Sequence, residues 1–172
     1  MLGASAQTEE ELVVTREAPE RAPLTPEQQE RRRAFFRDHW TQGVAFNVTM
    51  GVSVSRWDPD GVELEIPYTD ALSAHEGIFH GGVLSALIDT AGAAAVMAGH
   101  DYNLGSRLST ISLSVNYLSA ASGDKVVASA RCTRRGKTTH YASVDVRTDE
   151  GKLVAQGMGV YLVAGERRGL PD

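Results

Sequence analysis

With 172 residues, the chain is long enough for one domain with a substantial core and too short for two ordinary ones. Apolar residues make up 42% and charged residues 23%, a globular mixture, and a net charge of -5 makes the chain a poor candidate for general nucleic-acid binding, which needs a basic surface. The single cysteine, Cys132, excludes an internal disulfide and a cysteine-based metal site, and reads as a small buried strand residue.

Residues 1–24 are polar, carry Glu9, Glu10 and Glu11, and contain Pro19 and Pro23 near their end. They read as a flexible arm without a signal-peptide core, which makes a soluble, cytoplasmic protein the expectation. Thr25-Pro26-Glu27-Gln28 marks a helix start, with the helix predicted over about 26–40 and Gly43 as its stop. Phe35, Phe36 and Trp40 are its packing residues, and Arg31-Arg32-Arg33 reads as a solvated face.

Strands begin at Met50. The segments Met50–Trp57 and Val62–Ile66 flank the turn Asp58-Pro59-Asp60-Gly61 and read as a hairpin. A long connection over 68–80 follows. From Gly82 to about Met97 almost every residue is apolar or small, which predicts a helix buried on most sides. The stretch Val83–Gly99 is too short for a membrane span and contains Asp89. Four further strands are predicted over 108–118, 125–133, 140–148 and 153–163, the last three joined by short antiparallel connections. One apolar helix among so many strands suggests a sheet wrapped around it.

Asp89 sits among Leu87, Ile88, Ala91 and Ala93 with no Lys, Arg or His within a helical turn. A buried carboxylate is costly unless paired, hydrogen-bonded or protonated, so its partners must come from another element, another subunit or a substrate. A purely structural aspartate bonded to backbone or hydroxyl groups meets the same requirement. Gly82, Ser85 and Asp89 share a helix face, and His80-Gly81-Gly82 precedes it, leaving backbone N–H groups that can hold an oxyanion. Seven residues separate Gly82 from Asp89, roughly 10 Å along a helix, too far for one carbonyl to touch both. Two antiparallel helices across a two-fold axis would bring Gly82 of one chain near Asp89 of the other.

The string from His80-Gly81-Gly82 through Leu87-Ile88-Asp89-Thr90-Ala91 resembles the His-Gly-Gly…Asp segment of hotdog-fold acyl-CoA thioesterases of the phenylacetate-degradation type. The likeness covers roughly 44–163 and extends to Asn116-Tyr117, the Arg134-Arg135-Gly136-Lys137-Thr138 turn and Ala155-Gln156-Gly157. It implies an α+β hotdog domain over 25–172, an antiparallel sheet wrapped around one central helix, with an added N-terminal helix. By the same resemblance, Asp89 is general base or nucleophile, and Gly82 or Gly81 supplies the N–H that polarises the thioester carbonyl. Thr110, with Ser109 as second choice, orients the attacking water.

The resemblance also implies an acyl-CoA substrate, with coenzyme A entering only as part of it. It implies a homo-oligomer with the dimer as minimum active unit and a tetramer as the expected assembly. The Arg134–Thr138 turn is either a solvated hairpin tip or the site that meets CoA phosphates; the family favours the second. One departure stands out: six residues before His80 the family often carries Asn or Gln, and here that residue is Ala74, with His75 beside it as a substitute. His80 reads as a residue that shapes the loop. His75 and His80 lack a third ligand, so no metal is expected. Two rival readings keep the fold and change the function: an enoyl-CoA hydratase or dehydratase, and a non-catalytic acyl-CoA binding module.

Overall fold

The computed structural model describes residues 22–171, so most of the arm expected over 1–24 lies outside the described residues. Helix α1 (Pro26–Gln42) starts on a reciprocal capping box. The Gln28 N–H donates to Thr25 Oγ1 at 3.3 Å and the Thr25 N–H donates to Gln28 Oε1 at 2.8 Å. Proline occupies a position whose N–H has no partner in any helix, and Gly43 ends the element.

A second helix, α2 (Ala45–Met50), takes up Met50, where the sequence places the start of the first strand. Six residues are too few to show a helical period, and no side chain caps it. Its buried Asn47 holds it to α1 by donating from Nδ2 to the Trp40 carbonyl at 2.8 Å.

Strands β1 (Ser53–Asp58) and β2 (Gly61–Pro67) form the expected hairpin, with Val62, Leu64 and Ile66 buried and the glutamates between them half-buried. The connection that follows holds a short 3-10 turn and a two-stranded ribbon, β3 (Ser73–His75) with β4 (Ile78–Phe79). Then come the central helix α3 (Gly81–Ala98) and strands β5 (Leu108–Tyr117), β6 (Lys125–Arg135), β7 (Thr139–Thr148) and β8 (Leu153–Val163).

The six-stranded sheet runs β1-β2-β6-β7-β8-β5 and is antiparallel at every pairing. Short turns make β6, β7 and β8 sequential neighbours, as expected. Strand β5 instead lies at the far edge, beside β8, which leaves it one free side. The sheet curves around α3, whose residues from Ala91 to Ala98 are all buried. Close approach is possible because Gly157 carries no side chain: a Cβ there would lie 2.4 Å from Ile88 Cγ2. By length and composition alone α3 is apolar enough to cross a bilayer, contrary to the expectation that it is too short; here it forms the axis of the core.

Helix α1 packs on the side of α3 that the sheet leaves open, with Trp40 edge-on to Trp57 of β1. This placement corrects the reading of Arg31-Arg32-Arg33 as one solvated face. Arg32 is only 3% exposed and pairs with Glu166 at 2.9 Å. Arg33 Nε donates to the Ala98 carbonyl at 2.7 Å, satisfying one of the acceptors that the end of α3 leaves open. Only Arg31 is left as an ordinary surface cation.

Candidate active site

Asp89 lies midway along α3, half-buried, where the helix passes under the edge strand β5. Its Oδ1 accepts a hydrogen bond from Thr110 Oγ1 at 2.9 Å. Burial pushes the Asp89 carboxyl above the usual aspartate range, and the Thr110 bond acts in the opposite direction. The result is a carboxylate more basic than an exposed one, oriented by a hydroxyl.

A bulge sets this up. The β5–β8 register passes from Thr110↔Tyr161 to Ser112↔Val160, so Ile111 is the extra residue immediately after Thr110. Ser109 falls on the opposite face of the strand and is exposed, which leaves Thr110 as the hydroxyl at Asp89. From below, the buried Tyr161 hydroxyl donates to the Asp89 main-chain carbonyl at 3.2 Å. Its ring fits there only because Gly92 and Gly159 face it; a Cβ at either would lie 2.1 or 2.2 Å from the phenol oxygen.

At the other end of α3, His80 is the N-cap. Its Nδ1 accepts the Gly82 N–H at 2.8 Å, and its carbonyl accepts from Val83 at 2.9 Å and Leu84 at 3.3 Å. The Gly82 N–H, expected as the oxyanion donor, is therefore already engaged by an imidazole. Among the described residues the Gly81 N–H is the one first-turn donor with no acceptor, so the open donor lies one residue earlier. His80 thus caps the helix start with its side chain. Tyr117, at the end of β5, packs over Gly81, where an added Cβ would lie 3.3 Å from Tyr117 Cε1, and its hydroxyl bonds Ser85 Oγ. His75 and Ala74 sit exposed on β3. Gly81 and Asp89 are eight residues apart on one straight helix, about 12 Å by helical rise, so the chain carries two half-sites.

The Arg134–Thr138 turn divides its cations. Arg135 is directed into the fold: Nη1 donates to the Val96 carbonyl at 2.7 Å, and Nη2 to Ala95 at 3.1 Å and Pro59 at 3.4 Å. It caps the C-terminal end of α3, where a cation meets the helix dipole, and the expectation that it faces a CoA phosphate is corrected accordingly. Arg134, over the Tyr141 ring at 5.8 Å, and Lys137 remain exposed. With Gly136, Thr138, Thr139 and Tyr141 they line a shallow cavity of about 170 Å³. Thr139 pairs with Leu162, which pairs with Ser109, so the turn lies two strands from Thr110, roughly 10 Å by sheet spacing. Among the described residues no three His, Cys, Asp or Glu side chains converge on a common point that could hold a metal.

A long helix enclosed by an antiparallel sheet, with a second helix packed on its open side, defines a hotdog fold. Comparison with known proteins agrees. Residues 76–155 match the model of the thioesterase superfamily. A Halobacterium salinarum protein named "putative esterase" is 37% identical over 123 residues, covering 66% of this chain and 81% of that one. The medium/long-chain acyl-CoA thioesterase YigI of Escherichia coli is 25% identical over 132 residues, 69% of this chain and 84% of that one. Among solved structures, a Shewanella oneidensis protein related to the thioesterase superfamily superposes with a TM-score of 0.70 and 26% identity, covering 82% of this chain and 100% of that one. The chain belongs to the thioesterase superfamily and has its hotdog fold.

Proposed function

We propose that the protein is an acyl-CoA thioesterase whose active site is completed by a second copy of the chain. The observation that carries this reading is the Asp89–Thr110 pair at 2.9 Å, a carboxylate made basic by burial and presented at an uncharged sheet edge. Asp89 activates water, or attacks directly, at the thioester carbonyl. The carbonyl oxygen is held by the Gly81 N–H of the other chain, where the positive end of α3 stabilises the developing oxyanion. Thr110 orients the carboxylate. Arg134, Lys137 and Thr138 receive the phosphates of coenzyme A.

Strand β5 supports a two-fold arrangement. Its ten residues, Leu108–Tyr117, include no charge and no proline, and one side is unpaired, which suits pairing with another strand. Thr110 near one end holds Asp89, and Tyr117 at the other end covers Gly81. A two-fold axis near Leu113 and Ser114 would set residue 110 of one chain opposite residue 117 of its partner, joining each Asp89 to the other chain's Gly81. The acyl-CoA thioesterases among the relatives support the substrate class.

The test is release of free thiol from a panel of acyl-CoAs, with the products weighed by mass spectrometry. A thioesterase yields free acid plus coenzyme A. A product that gains water and retains coenzyme A identifies a hydratase; stoichiometric binding without turnover identifies a binding module. Either result overturns the thioesterase reading.

A further inference from the structure

The reaction above makes no use of the cavity between α1 and the start of β5, which measures about 210 Å³. Its apolar wall is Phe36, Trp40 and Val44 on one side and Leu108 on the other. Both sides are anchored beside the Asp89–Thr110 pair. Trp40 Nε1 donates to the carbonyl of Thr90, the residue after Asp89, at 3.0 Å. Leu108 lies two residues before Thr110, on the same face of the strand. The cavity wall at Leu108 is two residues along β5 from Thr110, roughly 7 Å by strand rise.

The rim has a different chemistry. Arg107 and Arg167 both line the cavity, and among the described residues no carboxylate does. Arg167 Nη2 donates to His39 Nε2 at 2.8 Å, and burial together with that guanidinium pushes the His39 pKa down, so His39 is a neutral acceptor and adds no negative charge. Among the described residues Arg107 makes no ion pair. Two guanidiniums over an apolar floor, on a chain of net charge -5, suit an amphipathic anion.

We propose that this cavity is the acyl subsite, and that its occupant is a short acyl group with a terminal carboxylate, the methylenes against Trp40 and Leu108 and the carboxylate at Arg107 and Arg167. The proposal rests on the thioesterase reading and narrows its substrate class to ω-carboxyacyl-CoA. N-terminal helix α1 then acts as the specificity wall of the site.

The experiment compares kcat/KM for adipoyl-CoA and hexanoyl-CoA, which match in chain length and differ in the terminal charge. In the native protein the adipoyl substrate is expected to be preferred. Arg107→Gln, on an exposed side chain, should lower the adipoyl-to-hexanoyl ratio about tenfold, and Arg107→Lys should restore part of it. An unchanged ratio, or a native preference for hexanoyl-CoA, overturns the proposal while leaving the thioesterase reading intact. Should no acyl-CoA be hydrolysed, the cavity is tested without turnover. Adipate, but not hexanoate, should change the tryptophan fluorescence of the native protein, where Trp40 lines the cavity, and should fail to do so in Arg107→Gln. No response to adipate overturns the proposal independently. Loss of oligomeric mass in Arg107→Gln, read by light scattering, would assign the cavity to a second copy of the chain and also overturn it.

Discussion

Replacing Arg135 by Met separates two roles that its position in a cationic turn leaves confounded. Methionine retains an apolar stem and removes the guanidinium. Two of the bonds lost, to the Val96 carbonyl at 2.7 Å and the Ala95 carbonyl at 3.1 Å, have full hydrogen-bond geometry; the third, to Pro59 at 3.4 Å, counts for little. Hydrogen bonds to a charged group contribute roughly 1.5–3 kcal/mol each. The arginine remains exposed overall, so solvent screening favours the lower end, a total of about 3 kcal/mol. For a domain of this size that corresponds to a fall in Tm of roughly 6–12 °C. The assay is thermal unfolding by circular dichroism beside KM for an acyl-CoA. Arg135→Met should lower Tm and leave KM near its native value, whereas Lys137→Gln should raise KM and leave Tm unchanged. An Arg135→Met protein with native Tm and a KM raised several-fold would refute the assignment of this guanidinium to the helix end.

Two further outcomes follow from the same geometry. Thr110→Val removes the bond that holds Asp89 and lowers its pKa, so kcat should fall by about 10- to 100-fold. The acid limb of the kcat/KM profile should move to higher pH, and Thr110→Ser should recover both; an unshifted limb would count against the contact. The second outcome concerns His100, buried edge-on to His140 at 5.3 Å, whose pKa burial pushes down to about 4 from an ordinary 6.5. Its folded-state pKa is depressed, so the neutral form stabilises the fold above about pH 6.5, and that stability is lost as pH falls toward about 4. The gap corresponds to on the order of 3 kcal/mol, and denaturant melts at pH 7 and pH 4.5 should differ by much of it. Replacing His100 by Gln should flatten that difference. His140, with both ring nitrogens buried and unpartnered and its pKa lowered, contributes in the same direction.

Much of this fold was legible because its elements follow strong local rules. The capping box at Thr25, the turn at Asp58-Pro59-Asp60-Gly61 and the alternation in the four long strands each reflect short-range chemistry. What the sequence could not reveal depended on long-range packing. The position of β5 beside β8 depends on a seven-residue crossover, 118–124, that carries no signature of its destination. Helix α2 is shorter than two helical turns. Arg32, Arg33 and Arg135 read as surface cations because the carbonyls and carboxylate that receive them come from α3, the β1–β2 turn and the C-terminal tail. In the site, Asp89 was legible as a carboxylate out of place, and Thr110 came from the family resemblance. The engagement of the Gly82 N–H by His80 was not legible, since it depends on one imidazole rotamer. Tyr161 was hidden as an ordinary strand residue, although the glycines at 92 and 159 that make room for it are visible in the chain.

An active site shared by two chains can be rebuilt from two inactive variants by complementation. Asp89→Asn removes the base. Gly81→Pro removes the N–H at the first helical position, where proline is favoured and where His80, at φ -66 and ψ 137, already has the backbone that precedes a proline. Each homo-oligomer should be inactive. Co-expressed, the two variants form mixed dimers in which Asp89 of the Gly81→Pro chain meets Gly81 of the Asp89→Asn chain. Random pairing with one intact site per mixed dimer should restore about a quarter of native thioesterase activity. Mixed dimers that form, by mass, and release no coenzyme A would contradict a shared site.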